Sequence, residues 1–83
     1  MNYLDAVRAA AVHYLGREVT DDEWNYALGK AQKKLDRIIS REGDLDGERR
    51  KPCYLGKLVQ ERIFEDSVSA YTAALCARGA AAV

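Results

Sequence analysis

The chain holds 83 residues, of which 48% are hydrophobic and 31% charged, and its formal net charge is zero. That length means one domain, 1–83, with one modest core. The apolar content excludes a disordered chain of balanced charge, and the zero net charge argues against a protein that binds polyanions with its whole surface. A domain this small is marginal alone, so dimerisation is a fair expectation. The charge is unevenly spread. Residues 1–29 carry 2 basic and 5 acidic side chains, residues 30–57 carry 9 and 5, and residues 58–83 carry 2 and 3. The middle of the chain is therefore the expected electrostatic contact surface.

Asn2 is placed to cap a first helix over Tyr3–Leu15. Leu4, Val7, Ala11 and Leu15 recur at helical spacing as its inward stripe. The segment is rich in alanine, so a second helix can approach closely. Gly16 ends it, and the short connector Arg17–Val19 favours an antiparallel neighbour.

The second helix is the clearest element, Thr20 to Glu42. Thr20 and Glu23 have capping-box spacing. Asp21, Asp22 and Glu23 suit the positive end of the helix dipole, and Arg37 and Arg41 lie toward the negative end. Trp24, Leu28, Ala31, Leu35 and Ile38 form one apolar stripe with Ala27 and Ile39 on its flanks. Lys30, Lys34, Arg37 and Arg41 form a basic stripe beside it, with Lys33 at its edge. Val19, just before the cap, is set to pack on Leu28 as a hydrophobic staple.

Gly43 through Lys51 reads as an exposed loop. It contains Arg49, Arg50 and Lys51, which with Lys57 and the stripe on helix two compose the candidate basic patch. Aligning Gly47 with the glycine of an EF-hand loop puts Glu42, Asp44 and Asp46 at ligand positions. The match then fails, because Cys53 stands where a bidentate Glu is needed.

Pro52 fits the first turn of a third helix, expected to run to about Ala77. Leu55, Leu58, Val59 and Ile63 share one side of it, while Phe64, Val68, Tyr71 and Leu75 share another. Either the helix breaks or kinks near Glu65–Ser67, with Asp66 or Ser67 capping a new one, or it is continuous and its second face meets another chain. Residues 1–2 and 78–83 are expected to fray. The fold expected is all-α, a small, mostly antiparallel three-helix bundle with Leu4, Val7, Ala11, Trp24, Leu28, Leu35, Ile38, Leu55, Val59 and Ile63 in its core.

Enzyme chemistry finds little footing. The chain has one histidine; His13 lies opposite the apolar stripe of helix one and is expected at the surface. No GxGxxG, Walker A, HExxH or GxSxG motif occurs. Cys53 and Cys76 bracket helix three, about 35 Å apart if it is straight, out of disulfide reach. Cys76 is expected to be partly buried. Cys53 lies by a helix start and Lys51, a weak redox candidate. Neither a metal site nor a cofactor is expected. Helix-turn-helix binding is disfavoured by the long connector before helix three and by the acidic start of helix two.

No apolar run approaches the roughly 20 residues of a membrane span, and no basic segment followed by an apolar one opens the chain. The expected location is cytoplasmic. The expected function is a non-enzymatic protein-interaction module, a homodimer or a small inhibitor or adaptor acting on a larger machine, of the kind phages and mobile elements encode. Phe64, Val68, Tyr71 and Leu75 would be its interaction face. The alternative is a binder of nucleic-acid backbone that uses the basic patch.

Overall fold

A computed structural model describes the backbone of residues 2–82 and the side chains of residues 2–76. Of the residues expected to fray, 1–2 and 78–83, Asn2 caps the first helix and the backbone of 78–82 is helical; Met1 and Val83 lie outside the described residues. The architecture is all-α: helix α1 over Tyr3–Leu15, α2 over Asp21–Glu42, a 3-10 turn at Glu48–Arg50 and α3 over Pro52–Ala82. No strand occurs among the described residues. The turn lies inside the segment read as irregular loop.

Local chemistry sets each boundary. The Asp5 N–H donates to the Asn2 side-chain oxygen at 2.8 Å, and Gly16, at φ 80°, closes α1 by donating to the Val12 carbonyl. The Thr20 hydroxyl accepts from the Glu23 N–H at 3.2 Å while the Glu23 carboxylate accepts from the Thr20 N–H at 3.1 Å. Both arms of the capping box are thus made, and two otherwise orphaned donors are satisfied. At the other end of α2, the Gly43 N–H donates to the Ile39 carbonyl at 2.8 Å.

α3 is the organising element. It packs against both α1 and α2, which touch each other far less. Glu23, Tyr26 and Ala27 at the start of α2 share a side groove with Ile63, Asp66 and Ala70 far along α3, while Glu42 at the end of α2 pairs with Arg49 just before α3 begins, so the two helices run antiparallel. The approach of α1 is very close at Gly56. A Cβ there would lie 2.5 Å from the Ala10 Cβ and 2.8 Å from the Val7 carbonyl oxygen. Alanine on one helix and glycine on the other let the two backbones meet.

The buried core comprises Val7, Ala11, Val19, Ala27, Ala31, Leu35, Leu55, Leu58, Val59 and Ile63. Leu4, expected inside, is exposed. On α2 the buried line is Ala27, Ala31 and Leu35, and Trp24, Leu28 and Ile38 are only partly buried beside it. The small alanines face α3 directly and the larger side chains straddle the contact, an arrangement that places volume where the gap between helices widens. Val19 is buried in the core cluster, and Leu28 is partly buried against that cluster.

α3 is uninterrupted through Glu65–Ser67 and extends past the expected end at Ala77. An Arg62–Asp66 ion pair at 3.4 Å, one turn apart, spans the place where a break was considered. Its 31 residues, at ~1.5 Å each, give the molecule its long axis, and the overall extents are 54 × 29 × 17 Å. Among the described residues the last buried one on α3 is Ile63, and from Ser67 to Cys76 every residue is exposed. The helix therefore leaves the bundle as an arm.

Candidate interaction surfaces

Two surfaces stand out. The first is the arm. Phe64, Val68, Tyr71 and Leu75 are 57%, 45%, 66% and 45% exposed. Their spacing of four, three and four puts them in one line along α3. From Ser67 to Ala77 the sequence carries no charged residue, although charged groups normally keep exposed helix surface in water. The structure thus puts the four residues expected as an interaction face in one exposed line.

The second surface is the flank of α2. Lys30, Lys33, Lys34, Arg37 and Arg41 are all exposed. Among the described residues none of them forms an ion pair, whereas Arg8, Arg17, Arg49, Arg50, Lys51 and Arg62 each do. A shallow cleft of about 390 Å³ runs beside Lys34, Arg37 and Arg41 and is closed from α3 by Arg62 and Glu65. A neighbouring one of about 590 Å³ adds Lys30 and Lys33. Tyr26 organises one end of this groove. The Lys30 ammonium and the Arg62 guanidinium lie 5.8 and 5.7 Å from its ring centre, and Arg62 donates to its hydroxyl at 3.4 Å. That hydroxyl and Asp66 hold the Arg62 pKa above its ordinary value. The sequence reading missed Arg62 because its place beside the stripe depends on how α3 docks on α2. The antiparallel expectation, carried through to register, was the one signal that could have found it.

The remaining members of the expected patch are placed differently. The Arg49 side chain is only 13% exposed and pairs with Glu42 at 3.9 Å. It donates to the Gly43 carbonyl at 2.7 Å, so it fastens the loop to the end of α2. Arg50 pairs with Asp44 at 3.1 Å and, with the Gly47 N–H second, holds that carboxyl below its ordinary pKa. Lys51 pairs with Glu48 at 2.8 Å, which raises the Lys51 pKa. Lys57 is exposed on α3 and lines neither cleft. The structure thus assembles the stripe on α2 with Arg62 and engages the loop cations locally.

A third cluster is structural. Arg8 of α1 donates to the Val19 carbonyl at 2.7 Å and to Asp21 at 3.0 Å, and its guanidinium lies 5.6 Å from the Trp24 ring centre. It ties α1 to the start of α2. Next to it Arg17 forks onto Glu23 at 3.0 and 2.8 Å. That pair, then the Thr20 N–H, lowers the Glu23 pKa to about 2.

His13 is exposed, as expected. Cys53 and Cys76 are both free and exposed. For Cys76 this corrects the expectation of partial burial, because the helix projects where a core was assumed. Among the described residues no group of three potential metal ligands comes together, and no helix is long and apolar enough to cross a membrane. No family model, curated protein or solved structure matches the chain.

Proposed function

We propose that this chain is a non-enzymatic protein-interaction module that pairs with a second copy of itself through the arm of α3. The observation that carries this reading is the Phe64, Val68, Tyr71 and Leu75 line, exposed in the stretch that follows the buried Ile63. The 4-3-4 spacing is the seam spacing of paired helices. With no charge between Ser67 and Ala77, nothing repels an identical arm laid alongside. At the exposures given, the four side chains offer roughly 400 Å² per chain, the rings contributing most. A pair would bury about 800 Å² from these groups, and more from the alanines and serines between them. The four side chains alone fall short of the ~1,000 Å² a specific interface needs, so the residues between them must contribute and the dimer is expected to be weak.

Analytical ultracentrifugation from about 1 to about 500 µM tests the reading. The expected result is a monomer–dimer equilibrium that vanishes in F64A/Y71A, with the helical circular dichroism retained. A chain that stays monomeric throughout, or a dimer indifferent to both substitutions, would overturn it.

A further inference from the structure

We infer that the groove between α2 and α3 binds nucleic acid through its phosphate backbone, with Lys30, Lys34, Arg37 and Arg41 as the contacting row and Arg62 closing it from α3. The inference stands on a different surface from the arm and does not depend on it.

The cations are first of all available. Among the described residues, Lys30, Lys33, Lys34, Arg37 and Arg41 have no carboxylate partner, whereas the cations of the loop are each ion-paired. They also form a row. From Lys30 to Arg41 the helix advances about 16 Å, with a cation every ~4.5–6 Å. A regular file of single positive charges suits a polymer with regular single negative charges, and arginine adds a fork that matches phosphate oxygens. The apolar content decides between this polymer and an acidic protein. Apart from Tyr26 at one end, whose ring is taken up by Lys30 and Arg62, Ile38 is the one hydrophobic residue that lines the two clefts. A protein partner draws its affinity from buried apolar and aromatic anchors, whereas nucleic-acid interfaces are polar and strongly positive. Asp36, Glu42 and Glu65 also line the groove, which limits its field. The contact is therefore expected to involve about four phosphates and to carry no base sequence preference.

The test is fluorescence anisotropy of labelled single-stranded RNA and duplex DNA, each of about 20 units, titrated with the full chain from ~50 to ~200 mM salt. The expected result is binding with a Kd between about 1 and 100 µM at the lower salt, and a log–log salt slope of about −3 on the single strand. The triple variant K34E/R37E/R41E should lose binding by at least about tenfold. All three side chains are exposed, so its circular dichroism should match the parent. R50E/K51E/K57E changes the net charge equally and should stay within about twofold. No binding to either nucleic acid at the lower salt would overturn the proposal. Equal loss in both triple variants would overturn it too, since net charge alone would then be responsible. Binding of polyglutamate as tight as that of RNA would overturn the choice of nucleic acid over an acidic protein.

Discussion

Between Pro52 and Ile63, α3 presents Leu55, Leu58, Val59 and Ile63 to the core and Gly56 to the backbone of α1. From Ser67 to Cys76 the same uninterrupted helix touches nothing in a way that buries a residue, yet its face of Phe64, Val68, Tyr71 and Leu75 is as apolar as the buried one. Periodicity is thus equally strong in both halves, and only the position of the other helices separates them. The start of α2 shares a groove with α3 as far as Ala70, and from Tyr71 to Cys76 every residue is exposed. An amphipathic stripe records that a helix has a partner and does not say whether the partner lies in the same chain.

The largest expected difference between the halves is energetic. Leu55→Ala removes a fully buried side chain and should cost about 3 kcal/mol at any protein concentration. Leu75→Ala should cost less than ~0.5 kcal/mol in dilute solution and lower the urea midpoint only at concentrations where the dimer is populated. The single tryptophan lies in the bundle, half-buried under Arg8, so its fluorescence follows the bundle. A concentration-independent loss in Leu75→Ala would mean that the arm is part of the folded unit.

A smaller effect is expected at Gly56. Alanine there gains roughly 1 kcal/mol of helix propensity. Its Cβ would sit against backbone and Cβ atoms that cannot give way cheaply, an overpacking cost of about 1–3 kcal/mol. The net expectation is a loss of up to about 2 kcal/mol by urea denaturation. Adding Ala10→Gly should restore only part of it, since the Val7 carbonyl remains at 2.8 Å. On the arm, Ala73→Leu meets no neighbour and should leave the bundle's stability unchanged within ~0.5 kcal/mol.

The same contrast explains what the sequence made legible. Helix limits at Asn2, Gly16, Thr20 and Gly43 follow from hydrogen bonds within a few residues of each position, so the residue types alone were sufficient. The core of α2 was centred one step away from its true line. Alanine weighs little in a hydrophobic stripe, but small residues are what a close helix contact selects. Leu4 reads as core by spacing and is exposed, because α3 meets α1 around Val7, Ala10 and Ala11 rather than at its first turn. The basic stripe of α2 was legible as a line, whereas the engagement of Arg49, Arg50 and Lys51 by Glu42, Asp44 and Glu48 depends on the fold of the loop. Arg62 could be added only once α3 had been docked.

The smallest effect concerns pH and separates the two regions by chemistry rather than burial. Glu23 has its pKa lowered to about 2 by Arg17 and then by the Thr20 N–H, against about 4.3 in an unfolded chain. A lowered folded-state pKa means that the native state binds the proton less readily than the unfolded one. The stabilisation is therefore complete above the unfolded value and is lost as pH falls toward about 2. Asp44, lowered by Arg50, acts in the same direction. Both carboxylates are solvent-accessible, so the total should be modest, about 1 kcal/mol for Glu23. Thermal unfolding followed by tryptophan fluorescence should show the parent losing stability from about pH 5 downward. Glu23→Gln should start lower at neutral pH and lose less on acidification. The arm between Ser67 and Cys76 has no carboxylate, and its self-association should change far less over the same range. A dimer that dissociates in step with the titration of Glu23 would tie the arm to the capping box and collapse the distinction between the two halves of α3.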